Sequence, residues 1–249
     1  MAEVFLKKPS WYQTWWGVAL AAAGVLALAV VFLLGFLVTK YWRQIKQGEG
    51  EALKKEIFGQ IKPPMDLAAQ EELKLKRREL ESEREPFLGN PNAPVVIVEF
   101  IDFKCPHTLV EEPVIKKMMQ KYGYKIKLIV RDFPVESRYA GTSKFSEFAF
   151  CAAEQDKYWT LHDFLFDRQS ELPAELSDQL VDEISSEIGL KSALIKTCLS
   201  SGRAKIGVNS DYAVGFKYGV PGTPTFFVNG EKAAGTVPWE TWDGYLKNF

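Results

Sequence analysis

The feature that most constrains this chain is a long apolar segment near its amino terminus. Residues 15–38 contain no ionisable side chain over 24 consecutive positions, and a helix of that length can cross a hydrocarbon core of about 30 Å. Aromatic residues cluster at both ends, where amphipathic rings favour the lipid headgroups; they are Trp11, Tyr12, Trp15, Trp16, Tyr41 and Trp42. We therefore predict one transmembrane helix over residues 15–38, with residues 1–14 as an amino-terminal tail.

A cleaved secretory signal is the alternative interpretation of this segment, because two lysines precede the apolar run. The run exceeds the usual length of a signal core, and residues 38–42 lack a small-x-small cleavage motif, so the sequence favours an uncleaved anchor. Lys40, Arg43 and Lys46 follow the segment, and the positive-inside rule then slightly favours a cytoplasmic carboxyl-terminal part.

The composition excludes several classes of function. Lys and Arg total 31 against 32 Asp and Glu, so the charge balance gives no electrostatic case for binding nucleic acid. Three cysteines are too few for a disulfide-stapled mini-domain, and two histidines without a cysteine cluster are too few for a typical structural zinc site. We therefore expect neither a metal nor a cofactor, and function must depend on a few placed residues.

A charged connector separates the apolar segment from the rest of the chain. Residues 39–85 carry acidic and basic side chains at three- and four-residue spacing, which supports a solvated helix. Glutamates surround the basic cluster of residues 74–78, so we interpret this cluster as part of that helix and not as a binding patch. Pro86 is then expected to begin a single domain, residues 86–249, which is large enough to bury its own core.

The order of hydrophobic patterns in this domain predicts an α/β fold. The β-branched run VVIVEFI is typical of a central strand that is covered on both faces. A long helical insertion separates the first two strands from the last two. The predicted elements are a strand at 95–101, a helix from Pro106, a strand at 126–130, helices at about 140–215, strands at 224–229 and 232–235, and a helix at 239–246.

Cys105 is the residue that most suggests chemistry. It precedes Pro106, which suits the first turn of a helix, and a thiol at a helix amino terminus faces unpaired N–H groups that favour the reactive thiolate. His107 is positioned to add positive charge near the sulfur, and Thr108 to donate its hydroxyl to it. The alternative is that Cys105 is a small buried hydrophobic residue and that His107 is an exposed helix residue.

A second loop, residues 219–228, contains two prolines and runs directly into an apolar strand. Together with this loop, the segments VEFIDFKCPH, FAFCAAEQDKYWTLHDFLF and CLSSGRAKIGV make residues 86–249 resemble the DsbA-like branch of the thioredoxin superfamily. The resemblance implies a thioredoxin fold with a helical insertion. It also implies that Cys105 is the nucleophile and that Thr223-Pro224 is a cis-proline loop against the sulfur, so that Pro106, Thr223 and Pro224 contact an extended substrate.

The resemblance assigns one further residue to the chemistry. Glu99, six residues before Cys105, matches the acid that handles protons beneath the active site in that family. The alternative interpretation is that Glu99 is a carboxylate at the end of a strand that reaches solvent.

The chain departs from the family at the fourth position of the Cys-x-x-Cys motif, which is Thr108. Without a second thiol the site cannot hold an intramolecular disulfide or pass one on by the two-thiol route. A single thiol can still attack a disulfide and be released by an external thiol. Turnover therefore requires a redox partner or a small thiol to reset Cys105.

The resemblance further implies a structural disulfide between Cys151 and Cys198, with two reduced, buried thiols as the alternative. Such a bond indicates an oxidising compartment. This consideration outweighs the charge bias, so we expect a single-pass protein of the cytoplasmic membrane with its amino terminus inside and its carboxyl-terminal domain outside the cytoplasm. His162 and Asp163 are interpreted as structural, because no further ligands lie near them in sequence.

The function expected from these features is that of a membrane-anchored thiol-disulfide oxidoreductase. It would act through Cys105 alone on extracytoplasmic protein or low-molecular-weight thiols and disulfides. Two alternatives stay open at this point. One is a module that captures clients through the thiol without turnover, as a holdase or retention device, and the other is a redox-silent membrane scaffold.

Overall fold

The computed structural model describes residues 19, 30–37, 39 and 67–249. The chain divides into two compact units, residues 1–53 and 54–249. In the first unit, residues 30–37 are helical. Among the described residues, no helix has both the length and the apolar character that crossing a bilayer requires. Most of the predicted span, together with the tail and residues 40–66 of the connector, lies outside the described residues, so the span stays a prediction.

The second unit contains a five-stranded mixed sheet in the order β1-β3-β2-β4-β5. Strands β2 and β3 are parallel, whereas the pairs β1–β3, β2–β4 and β4–β5 are antiparallel. The parallel pair requires a crossover, which a helix supplies. The strands are β1 (Phe87–Gly89), β2 (Val95–Ile101), β3 (Ile126–Asp132), β4 (Thr225–Val228) and β5 (Glu231–Ala234).

Eight α-helices of this unit are described, and five of them form the insertion between β3 and β4. The order of helices and strands in this unit agrees with the predicted order, except that the short edge strand β1 was not predicted. The helices are α1 (Leu67–Leu80), α2 (Pro106–Tyr122), α3 (Thr142–Ala153), α4 (Tyr158–Asp167), α5 (Asp178–Ile188), α6 (Ser192–Ser200), α7 (Arg203–Lys217) and α8 (Trp239–Leu246), with 3₁₀ turns at Gly123–Lys125 and Gln169–Glu171.

Strand β2 divides the core into two sides because its side chains alternate between the faces of the sheet. Ile97 packs with Met118 of α2 and Trp242 of α8 on one face. Val98 and Phe100 pack on the other face with partly buried residues of α7. All seven residues of β2 are buried, as the continuous apolar run predicts. The loop that carries Cys105 therefore begins at the end of the central strand of the sheet.

Helix α1, which lies in the predicted connector before Pro86, belongs to the same compact unit as the sheet. Leu80 is fully buried in the core with Val98 and Phe100. Nearer the middle of the helix, a Cβ atom on Gly230 would lie 2.7 Å from Leu73 Cδ1, so the turn between β4 and β5 packs closely against α1. The charged sequence pattern did not indicate that α1 packs against the core. Most of its charged residues are exposed, whereas Leu80 is buried.

The helices of the insertion share a hydrophobic cluster with Ile101 of β2 and Val130 of β3, and this cluster contains the Cys151–Cys198 disulfide. Cys151 belongs to α3 and Cys198 to α6, and both side chains are 1% exposed. The structure thus has the disulfide that the family resemblance implies. Cys105 is then the free thiol among the described residues.

Candidate active site

Cys105 lies where β2 has ended and α2 begins. Its N–H donates to the Asp102 carbonyl (3.0 Å), and its own carbonyl accepts from Leu109 N–H (3.2 Å) as the helix starts. Cys105 has extended backbone dihedrals (φ −78°, ψ 118°) as the residue before the first turn, and Pro106 occupies that turn. The thiol therefore sits at a helix amino terminus, where the helix dipole favours a negative charge.

The sulfur of Cys105 has two polar contacts of opposite kind. The thiol donates to the carbonyl oxygen of Thr223 (Sγ–O 3.2 Å), and the Tyr139 hydroxyl donates to the sulfur (Oη–Sγ 3.7 Å). The first contact needs a protonated thiol, whereas the second strengthens when the sulfur is an anion. The site thus offers one hydrogen bond to each protonation state. Burial, and next the hydrogen bond to Cys105, raises the pKa of Tyr139.

The second loop lies directly against this sulfur. The Thr223-Pro224 peptide bond is cis, an isomer that the sequence alone does not determine. Cys105, Tyr139, Thr223 and Pro224 line a shallow cleft of about 210 Å³, together with His107 and Arg138. Cys105 itself is only 2% exposed, so any reactant must enter the cleft to reach the sulfur.

The two helix residues expected to assist Cys105 are placed differently from one another. His107 lines the cleft and is exposed, but among the described residues no hydrogen bond links it to the sulfur. Thr108 is fully buried, and its Oγ1 has no hydrogen-bond partner. The expectation that the Thr108 hydroxyl donates to Cys105 is therefore wrong for this structure, because the side chain is enclosed by the protein without reaching the sulfur.

Residues of the helical insertion make hydrogen bonds to the turn that contains Cys105. Gln169 donates from Nε2 to the carbonyl oxygens of Phe103 (2.9 Å) and Cys105 (3.0 Å). The Asp102 carboxylate accepts from the Thr142 hydroxyl and from the N–H groups of Lys104 and Val135, both at 2.8 Å. Burial nevertheless raises the pKa of Asp102. Contacts from the insertion thus hold the backbone on either side of Cys105 in place.

Sequence reasoning missed Tyr139, Gln169 and Thr142 as site residues. Tyr139 lies 34 positions and Gln169 64 positions from Cys105, and no local spacing links them to the thiol. Arg138, beside Tyr139 at the cleft, was missed for the same reason. The polar loop between β3 and α3 was the one available signal, because loops at the carboxyl ends of strands commonly carry function.

Glu99 is buried (1% exposed), and its Oε1 has no hydrogen-bond partner. The alternative of a carboxylate that reaches solvent is therefore excluded. Desolvation raises its pKa well above the usual value, and the nearby Glu112 and Glu111 add to this effect. Glu99 lines a second cleft and not the one at Cys105. Among the described residues, this second cleft also contains the one group of three potential metal ligands, Glu112, His162 and Asp163.

Several solved structures share this fold at low sequence identity. The thiol-disulfide exchange protein alpha-DsbA2 from Wolbachia pipientis matches with a TM-score of 0.60 at 21% identity, over 74% of this chain and 99% of that one. A thioredoxin-like oxidoreductase from Silicibacter pomeroyi matches with a TM-score of 0.60 at 23% identity, over 69% and 96%. BdbD from Bacillus subtilis matches with a TM-score of 0.57 at 22% identity, over 67% and 92%.

Curated relatives include much longer proteins. The Na(+)/H(+) antiporter NhaA 3 of Salinispora tropica is 30% identical over 63% of this chain, and NhaA of Herminiimonas arsenicoxydans is 28% identical over 89%. This chain spans only 23% and 32% of the lengths of those two relatives.

A family model described as Thioredoxin matches residues 81–248. The match includes the strand before Cys105, the helix that the thiol begins, the helical insertion and the cis-proline loop. The chain therefore belongs to this thioredoxin family.

Proposed function

We propose that this protein is a membrane-anchored thiol-disulfide oxidoreductase that works through the single thiol of Cys105. The observation that carries the proposal is the placement of this sulfur, at a helix amino terminus and 3.2 Å from the Thr223 carbonyl of the cis-proline loop. A thiolate is the attacking species in thiol-disulfide exchange, and both the helix dipole and the Tyr139 donor favour it.

The exchange proceeds in two steps. The Cys105 thiolate attacks one sulfur of a substrate disulfide, forms a mixed disulfide, and expels the other substrate sulfur as a thiolate. An external thiolate then attacks the substrate sulfur of the mixed disulfide, forms a new disulfide with it, and releases Cys105 as a thiolate. Thr108 supplies no sulfur for this second step, so a small thiol such as glutathione, or a partner protein, must complete the turnover.

The cleft favours extended peptides or small disulfides as substrates. Backbone groups of the Thr223-Pro224 loop lie beside the sulfur, and Pro106 and Val110 are exposed on the adjoining helix. Exposed apolar side chains beside a backbone edge suit an extended chain that pairs along the loop. We propose that Glu99 handles protons for this chemistry from its buried position.

The Cys151–Cys198 disulfide supports an extracytoplasmic location for this domain, because such bonds persist in oxidising compartments. We therefore propose that residues 15–38 anchor the chain in the cytoplasmic membrane, with the amino terminus inside. The description of the Wolbachia relative as a thiol-disulfide exchange protein agrees with the chemistry proposed for Cys105. Sodium and proton exchange is not proposed, because the antiporters are matched over less than a third of their length.

The proposal is tested by incubating the purified full chain with oxidised glutathione and measuring intact mass. We expect one glutathione adduct per chain, none in Cys105→Ser, and release of the adduct by reduced glutathione. A Thr108→Cys variant should instead form an intramolecular disulfide and oxidise a reduced test protein.

Three results would contradict the proposal. Equal adduct formation in Cys105→Ser would place the reactive sulfur elsewhere. An adduct that glutathione does not release would favour a capture module without turnover. No adduct in the wild-type chain would favour a redox-silent scaffold.

A further inference from the structure

The cleft at Cys105 carries positive charge without negative charge to balance it. Arg138 and His107 are the basic side chains that line it, and no aspartate or glutamate of the described residues is among its lining residues. The chain as a whole is nearly neutral, with a formal net charge of −1. The surface around the thiol therefore differs in charge from the average surface of the protein, and the exchange steps themselves do not use this difference.

The Arg138 side chain has no counterion within the part of the chain that the structure describes. It is exposed, and its guanidinium makes neither an ion pair nor a hydrogen bond there. Its backbone is fixed, because its own N–H and that of Tyr139 both donate to the Val135 carbonyl, at 2.9 and 3.0 Å. The Tyr139 hydroxyl in turn contacts the Cys105 sulfur. The turn that brings Tyr139 to the sulfur thus also brings a positive charge to the cleft.

Two carboxylates of the surrounding loops are bonded to other groups. Glu136 accepts hydrogen bonds from the N–H groups of Gly141 (2.9 Å) and Ser143 (2.8 Å), where α3 begins. Asp102 is buried and accepts three hydrogen bonds from the loops around it. Neither carboxylate lies within ion-pair distance of Arg138. The guanidinium is therefore available to a carboxylate that a substrate brings.

The opposite wall of the cleft supplies backbone groups but no charge. Residues 219–225 contain no ionisable side chain, and the Thr223 carbonyl accepts the hydrogen bond of the Cys105 thiol. The volume of about 210 Å³ is below the range of about 300–1,000 Å³ that is typical of ligand pockets. The cleft therefore accommodates only the groups next to the attacked disulfide, and selectivity must depend on those groups.

We propose that Arg138 makes Cys105 selective for disulfides that carry a carboxylate close to the attacked sulfur, an inference that rests on the exchange chemistry proposed above. A guanidinium presents a planar fork of donors that matches a carboxylate. A cleft lined by one sign of charge also raises the local concentration of a reactant of opposite charge. Small anionic disulfides such as oxidised glutathione share this chemistry with peptide disulfides that have an acidic residue beside the cysteine.

Arg138 takes no part in the bond changes of the exchange. The Cys105 thiolate forms a mixed disulfide with one substrate sulfur, and the other substrate sulfur leaves as a thiolate. The substrate carboxylate and the guanidinium keep their charges throughout. Arg138 is therefore a residue that determines specificity, and its removal should change which disulfides react fastest.

The test compares three small disulfides of similar chain length that differ in charge. They are 3,3′-dithiodipropionate, which is anionic, bis(2-hydroxyethyl) disulfide, which is neutral, and cystamine, which is cationic. The rate of mixed-disulfide formation by the reduced full chain in detergent is measured by intact mass, with Cys105→Ser as the blank. The measured quantity is the ratio of the rate with the anionic disulfide to the rate with the cationic one.

We expect this ratio to fall by about threefold to tenfold in Arg138→Gln, the range expected for one exposed unit charge in water-like surroundings. Arg138→Glu should lower it further, and Arg138→Lys should keep most of the wild-type value. High salt should bring the wild-type ratio towards that of Arg138→Gln, because exposed charges are screened. A general effect on the thiolate would change the rates with all three disulfides alike and leave the ratio unchanged.

Arg84→Gln is the matched control, because it removes the same charge at a cleft that Cys105 does not line. Its ratio should equal that of the wild type. The inference is overturned if wild type and Arg138→Gln have the same ratio, or if Arg84→Gln lowers the ratio as much as Arg138→Gln. The failure of the exchange function itself is a different result, in which none of the three disulfides forms an adduct with Cys105.

A pair of peptide disulfides distinguishes the two sources of the carboxylate. The peptides differ only in Glu or Lys beside the cysteine. A preference for the Glu peptide that Arg138→Gln loses would extend the selectivity to protein substrates. A charge preference confined to the small disulfides would assign the site to low-molecular-weight substrates, and a preference for the Lys peptide would contradict the inference.

Discussion

At the residue scale, the reactivity proposed for Cys105 depends on groups that do not belong to its motif. The motif supplies the helix amino terminus, but the donor that contacts the sulfur is Tyr139, and the acceptor is the Thr223 carbonyl. A Cys-x-x-Cys motif would place a second thiol at the fourth position. Here that position is Thr108, whose hydroxyl has no partner. Among the described residues, Tyr139 is therefore the side chain whose hydrogen bond to the sulfur can stabilise the thiolate.

Replacing Tyr139 by Phe tests this assignment. Loss of about 1.4 kcal/mol of thiolate stabilisation would slow iodoacetamide alkylation of Cys105 at pH 7 by about tenfold. The rate near pH 10, where a thiol ionises without help, should stay within about twofold of the wild-type rate. Thr108→Val is the matched control, because its hydroxyl makes no hydrogen bond. Slow alkylation in Thr108→Val with no change in Tyr139→Phe would reverse the assignment.

At the scale of elements, the docking of α1 depends mainly on one side chain. Leu80 is 0% exposed, whereas Leu75 on the same helix is 55% exposed. We expect Leu80→Ala to lower the free energy of unfolding by about 2–5 kcal/mol, the usual cost of a cavity in a core. Leu75→Ala should change it by less than about 0.5 kcal/mol. Urea denaturation of both variants measures the difference, and similar losses would mean that α1 is not docked.

The contact between β3 and α7 predicts an unusual pH dependence of stability. Asp132 is buried, and its pKa is raised well above the usual value, first by burial and then by Asp211. Burial, followed by repulsion from Glu85, raises the pKa of Asp211 itself to about 7. A carboxyl group with a raised folded-state pKa holds its proton more tightly in the folded state. Its stabilising contribution is therefore complete below the unfolded pKa, about 3.9, and is lost as the pH rises towards the folded pKa.

Asp132→Asn should reduce this dependence, because an amide does not ionise, while Asp211 keeps its own contribution. We expect the variant to have a higher urea midpoint than the wild type at pH 8 and a smaller difference between its midpoints at pH 5 and pH 8. Replacing the exposed Glu231 by Gln should leave the wild-type dependence unchanged. A lower midpoint for Asp132→Asn at pH 8 would show that the ionised carboxylate is stabilising instead.

The elements of the domain were predictable to different degrees, and the reasons are physical. Strand β2 and helix α2 have strong local patterns, namely a continuous apolar run and a proline in the first turn. Strand β1 has three residues and one partner strand, so it has too few positions to form a pattern. Contacts such as that of Gln169 with the Cys105 carbonyl exist only after the insertion has folded over the sheet, and no sequence spacing encodes them.

At the scale of the whole molecule, the disulfide makes the stability of the domain depend on whether its compartment is oxidising or reducing. It closes a loop with a sequence separation of 47, for which chain entropy predicts a contribution of about 4 kcal/mol. That contribution is present only where Cys151 and Cys198 stay oxidised. A domain that loses it would unfold more readily in a reducing cytoplasm than outside the membrane.

Reduction and substitution should therefore have the same effect on stability. We expect a Cys151→Ala, Cys198→Ala double variant to be less stable than the wild type by about 4 kcal/mol under oxidising conditions. Adding a reductant should lower the wild-type stability towards that of the variant and leave the variant unchanged. Cys105 is present in both chains, so its reduction cannot account for the difference. Equal stabilities with and without reductant would mean that the two cysteines are not bonded in the isolated protein, and the case for an extracytoplasmic domain would lose its main support.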